Sequence, residues 1–331
     1  MPSHSQKSTP MTELEPLKFA PYLKTVIWGG NKICEYKGLP ATDSKIGESW
    51  EISAVPGHES VVSGGPFDGE KLTDLIERYG EKLLGRKVVE KYGLRFPLLV
   101  KIIDAADNLS VQVHPDDSLA AKRHNSLGKT EMWYIIDAES DAKIYAGLNT
   151  AMTPDDYVRR VADGTFADTL AVHTSRPGDV FFLPAGRVHA IGAGNLLAEI
   201  QESSDITYRI YDYDRRDALG NPRELHTDLA KDAIDFTVRS DYKSPRPDVR
   251  DKDCEIVSCQ HFTTRRVIID GSHSLNLAPD TFTVIMCIDG NIEGRYAKGT
   301  FTLSKGDTIL IPAVISALTL SGKATLLLSH A

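Results

Sequence analysis

One stretch of this chain is written twice. Gly178-Asp179-Val180-Phe181-Phe182-Leu183-Pro184-Ala185 returns as Gly306-Asp307-Thr308-Ile309-Leu310-Ile311-Pro312-Ala313. Each copy reads as a glycine turn, a buried strand and a proline turn. A similar segment precedes each, Ile135-Ile136-Asp137 and Cys287-Ile288-Asp289. A β unit repeated in this way predicts a mainly β protein built as two related jelly-roll barrels. The copies part company just beyond the shared run. His189 in the first corresponds to Ala317 in the second, and Glu131 corresponds to Thr283. One barrel therefore carries chemistry, and the other keeps only the scaffold.

The 331 residues, 41% of them hydrophobic, suffice for two cores. Residues 1–14 read as a disordered tail, because Met1 to Pro10 is polar and lacks the apolar stretch of a secretory signal. Residues 15–244 read as the catalytic unit and 245–331 as a metal-free second unit, with Pro245-Arg246-Pro247 between them. A few short helices interrupt the first unit. Leu72, Leu75, Ile76, Leu83 and Leu84 fall at helical spacing, predicting a helix over Lys71 to Leu84. Thr153-Pro154-Asp155-Asp156 is a helix start with threonine as cap and proline in the first turn. A third helix is predicted over Glu224 to Phe236. Strands are predicted at Arg95–Ile103, Leu109–His114, Met132–Asp137, Lys143–Leu148, Val180–Leu183, Val188–Ile191 and Leu196–Ile200.

No apolar run approaches a membrane span. The net charge of −8 argues against nucleic acid as the partner. Cys34, Cys254, Cys259 and Cys287 form no Cys-x-x-Cys pair, which points to reduced cysteines and a cytoplasmic protein. A monomer or a homodimer fits equally.

Gln112 and His114 lie two apart on a strand, so they share a face about 7 Å apart. Glu131 opens the next strand, and His189 comes from across the barrel. Two imidazoles and a carboxylate suit a catalytic zinc, with the glutamine carbonyl as a further donor. Without the glutamine the same set describes a non-haem iron site, so ligand type alone does not choose the metal.

The run Gly178 to His189 resembles the second cupin motif, Gly-x5-Pro-x-Gly-x2-His. A more specific similarity is to the type I phosphomannose isomerases. It is carried by Phe96-Pro97-Leu98-Leu99-Val100-Lys101-Ile102-Ile103, Leu109-Ser110-Val111-Gln112-Val113-His114-Pro115, Lys129-Thr130-Glu131 and Asp205-Ile206-Thr207-Tyr208-Arg209. It covers Leu17 to the C-terminus and matches the compact bacterial form of the family. The resemblance implies interconversion of mannose 6-phosphate and fructose 6-phosphate, with one zinc per chain held by Gln112, His114, Glu131 and His189. It places the family's catalytic arginine at Arg209. Longer members carry a histidine just before the motif lysine, where this chain has Gly128.

Such a reaction moves a proton between adjacent carbons through an enediol-type intermediate, and charge grows on the sugar oxygens. A metal polarises those oxygens. Arg209 stays protonated and can face an oxyanion. Lys101 and Lys129 add positive charge toward the enediolate or the phosphate, and Ser110 can donate to a phosphate oxygen. The base stays open between Asp205, a lysine made neutral by its cationic neighbours, and a metal-bound hydroxide; Asp205 could instead orient Arg209. Two other readings compete with the isomerase: an iron-dependent cupin dioxygenase, and a non-catalytic cupin that binds a sugar phosphate. His124, His173 and His226 have no motif context and read as structural.

Overall fold

A computed structural model describes residues 12–216, 219–245 and 252–331. The chain is mainly β, with three antiparallel sheets. A six-stranded sheet runs in the order Val180–Leu183, Glu131–Ala138, Asn195–Glu202, Leu98–Ala105, Ile46–Ile52, Tyr22–Gly30. A five-stranded sheet runs Tyr208–Tyr211, Val111–Val113, His189–Ile191, Lys143–Leu148, Leu170–Thr174. Trp133, Ile135, Phe181, Leu183 and Leu197 of the first sheet join Ile144, Ala146 and Ile191 of the second in one buried cluster. The third sheet has eight strands and gathers those after residue 252.

Chain position alone does not separate the sheets. Leu17–Ala20 pairs with Thr308–Ile311 on one side and with Val61–Val62 on the other. The N-terminal strand of the first half thus completes the sheet of the second. The expected disordered tail falls mainly outside the described residues; at its end Leu14 is buried, and the Thr12 carbonyl accepts a hydrogen bond from Tyr79.

The repeat seen in the sequence is also a repeat of hydrogen bonds. Leu183 pairs with Glu131, and its counterpart Ile311 pairs with Thr283. Ile135 donates its N–H to the Asp179 carbonyl at 2.9 Å, and its carbonyl accepts from Gly178 N–H at 2.8 Å. Cys287 does the same with Asp307 and Gly306, at 2.9 and 2.8 Å. The turn after each strand closes alike, Arg187 N–H on Pro184 and Ile315 N–H on Pro312. His189 and Ala317 each open the strand that follows.

All seven described α-helices fall between Lys32 and Ala233. The helix Pro154–Ala162 has the full capping box, with Thr153 and Asp156 bonding each other's backbone N–H. The helix expected over Lys71 to Leu84 is broken into Leu72–Tyr79 and Glu81–Leu84. Gly80 sits between them at φ 49° and ψ −121°, outside helical geometry. The helix expected over Glu224 to Phe236 shortens to Thr227–Ala233. Gly85, at φ +91°, lets this helical segment meet the far half of the chain. A Cβ there would lie 2.2 Å from the Asp280 carbonyl oxygen. Among the described residues no helix is long and apolar enough to cross a membrane.

Candidate metal centre and active site

Facing residues in antiparallel strands point to the same side of the sheet. In the five-stranded sheet Arg209 faces Gln112, and Gln112 faces His189. These three residues, far apart in the chain, therefore form one row across three strands. His114 comes directly after the strand Val111–Val113, and Glu131 reaches in from the six-stranded sheet. His114, Glu131 and His189 are fully buried, and their ligand atoms lie within 4.8 Å of one another.

The proton positions follow from the backbone. His114 Nδ1–H donates to the Ile206 carbonyl at 2.9 Å, and His189 Nδ1–H donates to the Arg187 carbonyl at 2.8 Å. Both rings thus turn a bare Nε2 inward. Burial, then the charge of Lys129, holds His114 well below the usual histidine range. Burial holds His189 near 4. Glu131 Oε1 lies 3.2 Å from His189 Nε2, and its Oε2 lies 3.5 Å from His114 Nε2. His114 Nε2 and both Glu131 oxygens are buried without a hydrogen-bond partner. Lone pairs turned on one another in a dry site repel unless a cation sits among them. The donor set therefore fits a divalent metal. Gln112 completes it: its amide nitrogen lies 3.3 Å from His189 Nε2, and a half-turn of the amide presents its oxygen instead.

Lys129 Nζ lies 3.5 Å from Glu131 Oε2. Burial, then Glu199, pushes Glu131 up to about 8 against the pull of Lys129 and Lys101; a bound divalent cation would keep it ionised. Gly128 precedes Lys129 for a steric reason. A Cβ there would lie 2.6 Å from the Asp117 backbone nitrogen. The histidine of longer family members has no room at this position.

Lys101 is buried in the core, not free in a pocket. Its ammonium bonds Glu199 at 3.0 Å and lies 3.7 Å from Glu48. Burial pulls its pKa down, but Glu199 and Glu48 more than offset this and raise it. Glu199 also accepts from Trp133 Nε1 at 2.8 Å, and Glu48 accepts from Trp50 Nε1 at 2.7 Å. The sequence reading missed both carboxylates. Glu199 was the more visible of the two, a lone charge in the run Leu196-Leu197-Ala198-Glu199-Ile200, though nothing in that run points to Lys101.

Arg209 is half-buried. Its Nη1 donates to the Glu224 carbonyl at 2.9 Å, and its Nε is buried without a partner. Burial, then the neighbouring Arg223, pulls its pKa down. His226 accepts from the Arg209 backbone N–H at 3.1 Å; His124 contacts the Tyr208 hydroxyl at 2.8 Å. Ser110 is buried, two residues before Gln112. Asp205 is exposed and has no hydrogen bond or ion pair to Arg209 among the described residues. The structure does not bring it to the cluster.

Comparison with known proteins agrees with this geometry. Residues 17–150 match the family description "Phosphomannose isomerase type I, catalytic domain", and residues 252–331 match "Mannose-6-phosphate isomerase, cupin domain". The chain is 38% identical to the mannose-6-phosphate isomerase ManA of Bacillus subtilis, over 96% of this chain and 99% of that one. It is 34% identical to the mannose-6-phosphate isomerase of Streptococcus mutans serotype c, over 96% and 98%. The crystal structure of a Bacillus subtilis mannose 6-phosphate isomerase superposes with a TM-score of 0.86 at 34% identity, covering 96% of this chain and all of that one. A buried donor cluster aimed inward and similarity over 96% of its length together place this chain in the type I phosphomannose isomerase family.

Proposed function

We infer that this chain is an aldose–ketose isomerase interconverting mannose 6-phosphate and fructose 6-phosphate. The convergence of His114 Nε2 and both Glu131 oxygens, buried and without a hydrogen-bond partner, carries the reading. Gln112, His114, Glu131 and His189 would hold one zinc per chain. Bound there, it would supply Lewis acidity toward the sugar's carbonyl and hydroxyl oxygens. Arg209, in the same row as Gln112 and His189, turns its cation toward the oxygen that gains charge. Lys129 flanks Glu131 and binds the same oxygens or the phosphate, and Ser110 donates to a phosphate oxygen. Lys101 acts at one remove. It neutralises Glu199 and Glu48, and so keeps the field around Glu131 from becoming too negative. Asp205, exposed at the edge, stays outside the reacting set.

Around this site we assign two cupin-type barrels. Residues 15–244 form the one that holds the metal, carrying the short helices and lending Leu17–Ala20 to its partner. Residues 245–331 form the metal-free one. The substrate is a small phosphorylated sugar, and the protein works in the cytoplasm as a monomer or homodimer.

A coupled assay with mannose 6-phosphate on zinc-replete protein tests the reading. Turnover is expected. Binding without turnover would leave a sugar-phosphate-binding protein, and stoichiometric iron with oxygen consumption would leave a dioxygenase.

A further inference from the structure

On the far side of the Gly128–Glu131 segment lies a second convergence of ligands. Asp117, Glu202 and His261 bring their donor atoms within 4.8 Å of one another. His261 Nδ1 lies 2.8 Å from Glu202 Oε1 and 3.9 Å from Asp117 Oδ2. The closer pair is out of line for a hydrogen bond: both atoms are buried and neither has a hydrogen-bond partner. Glu202 is 2% exposed and His261 7%. The remaining oxygens are occupied. Asp117 Oδ1 accepts from Gly128 N–H, and Glu202 Oε2 accepts from Thr130 N–H, both at 2.8 Å. Among the described residues the recorded ion pairs give these two carboxylates no lysine or arginine, only His261. The Tyr92 hydroxyl, buried and without a hydrogen-bond partner, is within electrostatic reach of both. A cavity of about 420 Å³ opens onto the cluster, lined also by Thr130, Cys259 and Gln260.

A buried carboxylate facing a buried imidazole, with a second carboxylate 3.9 Å from the same nitrogen, is costly without compensating charge. Gln260 stands behind the ring, its amide nitrogen 2.8 Å from His261 Nε2. With the amide turned over, Nε2–H donates to the amide oxygen and Nδ1 is free for metal. One nitrogen and two carboxylate oxygens form a zinc-type donor set, and the cavity leaves a fourth position for water.

We propose that Asp117, Glu202 and His261 form a second zinc site, which fastens the C-terminal part of the chain to the segment presenting Lys129 and Glu131. Two ligands come from the first half and one from the second, and both carboxylates already hold that segment by its backbone.

The test is a metal count. The full chain is saturated with zinc, desalted and analysed by mass spectrometry of the metal, as wild type, His114→Ala and His261→Ala. Two zinc ions per chain are expected in the wild type and one in each variant. One ion in the wild type that survives His114→Ala and is lost in His261→Ala would also support this site, while removing the first. One ion in the wild type that is lost in His114→Ala and kept in His261→Ala would overturn it, leaving a plain histidine–carboxylate ion pair. Asp117→Asn covers the case in which His261→Ala does not fold, since the Asp117 side chain is 49% exposed. Chelator competition should show the second zinc bound at least ~10-fold more weakly in that variant; unchanged affinity would also overturn the proposal.

Discussion

The Nδ1 atoms of His114 and His189 are both committed to backbone carbonyls, which fixes the work each residue can do. What remains facing Glu131 is two lone pairs, so removing either ring removes a ligand without freeing a proton donor. His189→Ala is expected to lose both the metal and turnover, as read by metal analysis and the coupled assay; normal activity would take His189 out of the ligand set. Arg209→Ala should keep the metal and lose at least about 100-fold in kcat, because a cation facing developing charge acts mainly in the transition state. A loss of a few-fold would make Arg209 a structural residue that bonds the Glu224 carbonyl. At this scale much was legible. The spacing of Gln112 and His114, and the contrast of His189 with Ala317, singled out residues that the structure brings together. The role of Lys101 was not legible, because its partners Glu199 and Glu48 lie on two other strands. No local pattern announces a cross-strand partner.

At the scale of the element, the six-stranded sheet carries a buried charge row. Trp133, Glu199, Lys101 and Trp50 lie side by side on successive strands. Removing one member leaves the other ionised in the core. Glu199→Ala should cost about 3 kcal/mol of stability, read from urea midpoints at constant slope. Lys101→Met combined with Glu199→Leu should regain most of that loss. An additive double variant would mean that the two side chains are not coupled. Alternation and turn residues marked these strands well: Lys143–Leu148 and Val180–Leu183 fall where the sequence put them. The helices were less legible at their ends. Helical periodicity runs straight through Gly80, but the backbone there does not.

The whole molecule is closed by its own beginning. Leu17, 2% exposed, sits in a strand whose partners come from opposite ends of the chain. Leu17→Ala should therefore cost about 3 kcal/mol and lower one cooperative unfolding transition. A separate early transition for the C-terminal sheet would show that the two halves are independent. Sequence order could not reveal this crossover, since pairing across nearly the full chain leaves no local trace. The repeat did mark a strand-and-turn unit that the structure holds twice by the same hydrogen bonds. A metal among Gln112, His114, Glu131 and His189 is tested most directly by the rate with mannose 6-phosphate before and after chelation, with zinc restored. Turnover should fall to background with the metal gone and return with zinc in the wild type, but not in His189→Ala. Full turnover by metal-free protein would contradict it.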